Sequence, residues 1–381
     1  MRPFLSCLLG VVAALSTAQA AYSQMAPFSL TRTFYWENDF QLSDRSYTNG
    51  LRYSTLLDGG PSWTHRSRRS RLWRAALLGK RACPPSPAPG DRGCYRLRTG
   101  LAYGQNFYTP ENLSARALIP EDRPYGGFIY VGRSFELSRG RKMYEIEYDL
   151  GLMGPLALGE SVQKGWHQLV GATHPQGWDN QIPNAPAAMA RFRRSQAILS
   201  LGERSRGAGE PSTRSLDVVT MAQVVLGTPF TQGAAGATFR VGRNIPAGVT
   251  PRIEPTVADL LAIEPGLERR QAWEQASLGI RQQARRPRDH PAPFYGFAAG
   301  RGVLVGHNAL LQGPVLGLKP TLQPESPTSP PIARGYLEGE AGFVLRLPFL
   351  HRPDLSIRYV ARGPEFEGGN THAFWAASVT F

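Results

Sequence analysis

Apolar and polar residues alternate with a period of two in runs that recur from near the N-terminus to the last residue. Such alternation is typical of β-strands that bury one face. Twelve runs follow this pattern, and the chain is therefore predicted to be all-β. The runs cover residues 28–37, 47–57, 97–108, 126–137, 142–153, 189–201, 213–227, 237–241, 293–304, 335–347, 355–361 and 371–381.

The last run shows the alternation most clearly. Ala373, Trp375, Ala377, Val379 and Phe381 lie on one face, and His372, Ala376, Ser378 and Thr380 on the other. Long strands joined alternately by short turns and longer loops are typical of transmembrane barrels of the bacterial outer membrane. We expect a transmembrane antiparallel β-barrel of about twelve strands. The alternative, a soluble periplasmic β-sandwich, does not explain a terminal alternating strand that ends on an aromatic residue.

Residues 155–171 depart from the β pattern. Pro155 suits the first position of a helix, and Gly171 suits its C-terminal end. An apolar stripe and a polar stripe follow helical spacing. The apolar stripe is Leu158, Val162, Trp166 and Leu169, and the polar stripe is Glu160, Gln163 and His167. We expect a short helix held near the rim of the barrel by packing. A second short helix is predicted at 256–263, and residues 320–332 form a loop rich in Pro, Ser and Thr.

Residues 1–20 have the order of a secretory signal: a basic residue, an apolar core and the cleavage sequence Ala18-Gln19-Ala20. The exported chain is then one barrel domain, residues 21–381. No later segment offers about 18 consecutive apolar residues, so no transmembrane helix is expected. Cys83 and Cys94 close a short loop and predict one disulfide in an exported protein, since zinc spacing with histidines is missing.

The chain has 43 basic and 29 acidic residues, a formal net charge of +14. Basic runs lie at 66–71, 191–194 and 281–288. Export excludes nucleic acid as a partner. Two interpretations stay open: arginine clusters that bind phosphate groups of anionic lipids, and solvated loops.

Candidate chemistry gathers at the first strand connection and on the predicted helix. Asn38 and Asp39 end the first strand, and Thr48 begins the second. Gln163 and His167 share one face of the helix. The five side chains converge only if the helix folds beside the rim where those two strands connect.

The residue types suit ester hydrolysis. Asp39 and Asn38 offer the oxygen ligands that Ca²⁺ prefers. His167 can take a proton from water near neutral pH, and Thr48 can donate to an oxyanion or orient the water. Taken singly, Asn-Asp is most often a turn and a lone helical histidine is most often a surface residue. A serine nucleophile is disfavoured because no Gly-x-Ser-x-Gly elbow is present.

Five sequence motifs occur in order across residues 30–184. They are Glu37-Asn38-Asp39; Asp44-Arg45-x-Tyr47-Thr48-Asn49-Gly50-Leu51-Arg52; Asp122-Arg123-Pro124-Tyr125-Gly126-Gly127; Gly154-Pro155-x3-Gly159-Glu160-x2-Gln163-x3-His167; and Gly177-Trp178-Asp179-Asn180-Gln181. In these motifs the chain resembles the outer-membrane lipid A 3′-O-deacylase family. The resemblance implies a twelve-stranded barrel in the outer membrane, acting as a monomer on lipid A of lipopolysaccharide through a Ca²⁺-dependent site that faces the outer leaflet.

The resemblance also implies residue roles. Asp39 is the calcium-binding acid, beside Asn38. Thr48 is the essential threonine and His167 the general base, with Gln163 and Glu160 in support. A glutamate of the family's site, six residues after the histidine, aligns with Thr173, and His174 and Glu160 are the candidate substitutes. Two other functions remain as alternatives: an outer-membrane phospholipase with the same Ca²⁺ chemistry, and a porin or structural barrel without enzymatic activity.

Overall fold

The computed structural model describes residues 29–39, 46–58, 95–202, 213–246, 292–314, 330–347 and 353–381. Within these residues twelve antiparallel strands form a closed barrel, which confirms the predicted fold. Several sequence predictions lie outside the described residues. They are the signal peptide, the Cys83 and Cys94 pair, the basic runs at 66–71 and 281–288, and the helix at 256–263.

Each strand pairs with its neighbour in the sequence, and the last strand pairs with the first. The strands are β1 Ser29–Asn38, β2 Ser46–Asp58, β3 Arg96–Thr109, β4 Gly126–Arg139, β5 Lys142–Met153, β6 Ala185–Leu201, β7 Thr213–Gly227, β8 Phe230–Pro246, β9 Phe294–Asn308, β10 Gly335–Arg346, β11 Asp354–Arg362 and β12 His372–Thr380. We call the end of the barrel where β1 ends and β2 begins the upper rim.

Several strands are longer than the sequence pattern predicts, and β6 and β8 show two such cases. β6 begins at Ala185 instead of 189, and β8 covers Phe230–Pro246 instead of 237–241. The first half of β8 is rich in Gly and Ala, whose small side chains do not display an alternating pattern. The alternation is present in the structure, because Phe230 and Gln232 are buried within the barrel.

The strands β1 and β12 form the seam that closes the ring. Asn38 pairs with Trp375 at the upper end, and Thr33 pairs with Thr380 toward the lower end. Trp375 and Phe381 are 49% and 43% exposed on the outer face, whereas Ser378 is buried toward the lumen. The two faces of the last strand are therefore the ones that the sequence predicts.

Charged side chains that point inward fill much of the barrel. Arg52 of β2 lies 2.9 Å from Glu147 of β5, and Arg191 of β6 lies 3.3 Å from the same carboxylate. Arg193 bonds to Gln223 of β7 at 2.8 Å. Both interpretations of the run 191–194 are therefore wrong for Arg191 and Arg193. The alternation of β6 turns these two side chains into the lumen, where buried partners balance their charge.

An apolar layer lies above these ion pairs. Phe128 of β4 contacts Phe230 of β8, with ring centroids 6.4 Å apart. Strands β4 and β8 are not neighbours, so the two rings meet across the lumen. The short helix α2, Ala309–Gln312, adds the fully buried Leu310 to the same cluster. Side chains thus pack across the upper lumen.

No helix in the described part of the chain is long and apolar enough to cross a membrane.

Candidate active site

The segment predicted as one helix forms two. A 3₁₀ turn covers Pro155–Ala157, and the α-helix α1 covers Gly159–Val170. Leu158 separates them with a left-handed backbone, φ 60°. Gly171 ends α1 at φ 72°, a conformation that glycine adopts without steric cost.

This pair of helices covers the outer wall of the barrel just below the upper rim. The amide of Gln105 on β3 donates to the carbonyl of Ala157 at 2.6 Å. Two residues further along β3, Phe107 packs beside Gly159 and Trp178. Gln105 and Phe107 share the outward face of β3 with the exposed Leu101 and Tyr103. The helix therefore lies outside the barrel, on the side that faces lipid in a membrane barrel.

The buried face of α1 is polar. Gly159, Gln163 and His167 are its buried residues. Trp166 reaches β1, where its ring lies 6.2 Å from that of Trp36. Since Trp36 precedes Asn38 by two residues on the same outer face, α1 folds beside the rim where β1 and β2 connect. The structure therefore places α1 where the sequence prediction requires it.

A tryptophan that sequence reasoning did not single out supports this arrangement. Trp178 donates from Nε1 to Oε1 of Gln163 at 2.8 Å, and its ring packs 4.8 Å from that of Tyr125. Gly159 is needed here, because an added Cβ would lie 2.6 Å from the Trp178 ring. The residues around Tyr125 and Trp178 therefore form the surface against which α1 packs.

His167 is oriented by the chain that leaves its own helix. Its Nδ1 donates to the backbone carbonyl of Thr173, and its own carbonyl accepts from the amide of Ala172 at 3.0 Å. A carbonyl can only accept, so the proton lies on Nδ1 and the neutral ring presents Nε2 as a base. The exposed side chains of Thr173 and His174 take no part in this contact.

The ends of β1 and β2 form the second half of the site. The amide of Asp39 donates to the carbonyl of Thr48 at 3.3 Å, and Asn38 pairs with Asn49 across the strands. Thr48 lies at a β-bulge, and its Oγ1 is 2.6 Å from Oγ1 of Thr109 on β3. Asp39 and Thr48 are almost completely buried, although both lie at a strand connection.

The residues around Asp39 suit a hard cation. Oδ1 of Asn49 is buried and has no hydrogen-bond partner among the described residues. With the carboxylate of Asp39 and the amide of Asn38 it supplies the neutral and anionic oxygens that Ca²⁺ prefers. In the described ranges no group of three His, Cys, Asp or Glu side chains could hold a metal. One carboxylate among amide oxygens therefore points to a weak oxygen site.

Two acidic residues near these motifs lie away from the cluster. Glu160 bonds to Lys164 at 2.5 Å on the exposed side of α1. Glu37 faces the lumen, where Tyr47 and Arg358 bind it at 2.8 and 2.9 Å. Asn38, Asp39 and Thr48 thus lie at the strand connection beside α1, Gln163 and His167 lie on the buried face of α1, and Glu160 lies on its exposed side.

Sequence reasoning placed Asn49 with Thr48 at the start of the second strand without giving it a role, and it missed Thr109 and Trp178. One signal was available for Thr109. Gln105, Phe107 and Thr109 alternate onto the same face as Leu101 and Tyr103, so the outward face of β3 changes from apolar to mixed near the rim. A polar break in a lipid-facing stripe indicates that something covers it.

The fold and the covered polar patch on its outer wall define an outer-membrane β-barrel protein. The family model described as "Outer membrane protein LpxR" matches residues 4–381, and the chain belongs to this family.

The solved structure of one LpxR protein shares the fold. LpxR from Salmonella typhimurium is 19% identical with a TM-score of 0.58, and the match covers 92% of this chain and 99% of that one. The beta domain of the Bordetella autotransporter BrkA is 10% identical, with a TM-score of 0.36 and coverage of 93% and 99%. A search of curated proteins returned no match.

Proposed function

We propose that the protein is a Ca²⁺-dependent ester hydrolase of the outer membrane that removes the 3′-linked acyloxyacyl group from lipid A. The observation that carries the proposal is the position of the polar patch. Gln163 and His167 are buried on the face of α1 that packs against the outer wall, and Trp166 of the same helix contacts Trp36 beside the strand connection. A lipid ester bond can approach such a site from within the leaflet.

His167 acts as the general base. With Nδ1 bonded to the Thr173 carbonyl, Nε2 accepts a proton from water as the water oxygen attacks the ester carbonyl. The same nitrogen then returns the proton to the departing alkoxide. The products are a free acyloxyacyl acid and a 3-hydroxyl group on the lipid A sugar, and no covalent enzyme intermediate forms.

Gln163 and Thr48 stabilise the negative charge that develops. Oε1 of Gln163 is occupied by Trp178, while its buried Nε2 has no acceptor among the residues described. That amide is available to donate to an oxyanion, as is the hydroxyl of Thr48. Asp39, Asn38 and Asn49 would hold Ca²⁺, which would supply Lewis-acid polarisation of the ester carbonyl.

The site and the lumen bear differently on the two alternative functions, a phospholipase and a porin. An outer-membrane phospholipase would use the same residues on another lipid ester. A porin requires an open lumen, whereas here ion pairs and the rings of Phe128 and Phe230 occupy it. The packing therefore favours an enzyme that works at its outer wall.

Mass spectrometry of total lipid from cells with and without the protein tests the proposal. We expect lipid A to lose the mass of one acyloxyacyl group when the protein and added Ca²⁺ are present, and to keep it in chelator. Phospholipids that lose a chain while lipid A stays intact would indicate the phospholipase instead. Unchanged lipids together with ion conductance in planar bilayers would indicate a pore.

A further inference from the structure

Buried threonine hydroxyls meet in pairs toward opposite ends of the barrel. At the upper rim, Oγ1 of Thr48 on β2 lies 2.6 Å from Oγ1 of Thr109 on β3. Toward the lower rim, Oγ1 of Thr33 on β1 lies 3.1 Å from Oγ1 of Thr380 on β12. All four side chains are at most 5% exposed. The two pairs have the same chemistry, so they differ only in their surroundings.

The upper pair lies at an irregularity of the sheet. The pairing of β2 with β3 shifts by one residue between Tyr47 and Asn49, which leaves Thr48 without a partner in the strand ladder. Thr109 is the last residue of β3 and pairs with Ser46. Because a bulge turns a side chain away from its regular direction, the Thr48 hydroxyl needs another contact to hold one orientation.

Thr109 supplies that contact. Among the described residues it is the only hydrogen-bond partner of the Thr48 hydroxyl. A hydroxyl has one hydrogen and two lone pairs, so one of the two threonines donates and the other accepts. If Thr48 donated, its single hydrogen would be occupied and could not reach an oxyanion. If Thr109 donates, Thr48 keeps its hydrogen, and the accepted bond polarises its O–H group and strengthens its own donation.

We propose that Thr109 is a positioning residue: its hydroxyl donates to Oγ1 of Thr48 and holds the Thr48 hydrogen available for the oxyanion that develops during ester hydrolysis. The inference rests on the proposed function, because it needs a reaction at this site. Thr109 acts through Thr48 and does not itself bind the reacting atoms. The pair of Thr33 and Thr380 faces the lower lumen and has no part in the reaction.

Steady-state turnover of lipid A in vesicles tests the proposal. Thr109→Val removes the hydroxyl and keeps the shape of the side chain, and Thr109→Ser keeps the hydroxyl. Thr380→Val is the matched control, because it breaks the same kind of pair far from the site. Heat-modifiable gel migration verifies that each variant folds, and Thr109→Ala replaces the valine variant if that one does not assemble.

We expect Thr109→Val to lower kcat by tenfold to about 10²-fold with little change in KM, because a misdirected donor is lost in the transition state and not in substrate binding. Thr109→Ser should recover most of the rate, and Thr380→Val should keep the wild-type kcat. A kcat of Thr109→Val equal to that of Thr380→Val overturns the proposal. A loss that Thr109→Ser does not restore overturns it as well.

A double-mutant cycle separates positioning from an independent effect on the enzyme. In a Thr48→Val background, Thr109→Val should cost nothing further in kcat, because its effect passes through the Thr48 hydroxyl. Losses that multiply independently would overturn the proposal.

The wild type separates this inference from the proposed function. No lipid A turnover by folded wild type in added Ca²⁺ overturns both. Turnover by the wild type that Thr109→Val does not lower overturns the role of Thr109 alone and leaves the proposed function in place.

Discussion

In the proposed mechanism His167 and Asp39 each carry one chemical task, and neighbouring residues set the conditions for it. The backbone carbonyl of Thr173 sets the tautomer of His167. A carbonyl orients the ring but brings no negative charge to stabilise the imidazolium. The base in this chain is therefore positioned without a carboxylate partner at residue 173.

Replacement of His167 by alanine should abolish deacylation while the barrel still assembles. Loss of a general base typically costs about 10²- to 10⁴-fold in rate. Gln168→Ala, on the exposed side of the same helix turn, is the control and should retain the wild-type rate. Heat-modifiable gel migration verifies folding, and mass spectrometry of lipid A measures turnover. Near-normal turnover by a folded His167→Ala barrel would rule out the role.

Replacement of Asp39 by asparagine removes the one carboxylate assigned to the cation. We expect the Ca²⁺ concentration for half-maximal turnover to rise by at least roughly tenfold, because ligand charge sets much of the affinity of such sites. Asp179→Asn changes an exposed carboxylate in the supporting turn and serves as the control. A Ca²⁺ titration of turnover measures both variants. An unchanged midpoint for Asp39→Asn would place the ligand elsewhere.

At this scale the sequence was informative about residue types and less so about their partners. Asn38, Asp39 and Thr48 stood out because acids, amides and hydroxyls crowd one strand connection. Thr109 did not, and Asn49 was named beside Thr48 without a role, because their contacts depend on strand register and on a bulge at Thr48 that no local pattern reveals.

The helix α1 buries Gln163 and His167 of its polar stripe against the barrel. Its spacing predicted a helix and two stripes, and both are present. The direction in which the stripes face could not be predicted, since an apolar stripe packs equally well on a protein core or on lipid. Trp178 settles the direction by binding Gln163 from the side of the barrel.

Two glycines of α1 provide a matched test of its seating. Gly159→Ala should lower turnover by tenfold to about 10²-fold, because the added Cβ meets the Trp178 ring and shifts the helix that carries His167. Gly165→Ala has nothing within 4 Å of the new carbon and should leave turnover unchanged. It should also stabilise the helix by up to about 1 kcal/mol. Equal effects of the two substitutions would show that the close approach of Trp178 does not position the site.

The whole molecule is held together at its upper end by ion pairs between distant segments. Glu365, in the connection before β12, lies 2.8 Å from Arg123 and 3.2 Å from Arg362. Burial alone would raise the pKa of the Glu365 carboxyl, but the two guanidinium groups outweigh it and hold the pKa below its ordinary value. The carboxylate thus ties the loop before β4 to the loop before β12.

This cluster predicts a loss of stability in acid. A carboxyl with a lowered pKa stabilises the fold above its unfolded pKa, about 4.3 for glutamate, and this stabilisation disappears as pH falls through the folded value. Glu365→Gln should destabilise the barrel at pH 7 by about 3–5 kcal/mol, because Arg123 stays buried without that partner. The variant should also lose less stability than wild type on acidification.

The midpoint of heat-modifiable gel migration at pH 7 and pH 3 measures this effect. Glu367→Gln, two residues away and exposed, is the control and should follow the wild type at both values. Identical midpoints for Glu365→Gln and Glu367→Gln would show that the ion pairs of Glu365 do not stabilise the barrel.

The sequence predicted the barrel and its number of strands because the alternation of apolar and polar residues repeats over the whole ring. It did not predict that the lumen is packed. Arg191 and Arg193 look like part of a surface run until the pairing of β6 with β5 and β7 brings Glu147 and Gln223 beside them. Contacts between strands that are far apart in the sequence carry this information.

The pairing of β1 with β12 determines when the candidate site is completed during assembly. The strand that ends in Asn38 and Asp39 gains its second partner only when β12 arrives, and Asn38 lies opposite Trp375. The ribosome makes Trp375 more than 330 residues later, near the end of the chain. A site on this strand matures with the last step of assembly. The growing polypeptide therefore passes through the cell with the candidate site still incomplete.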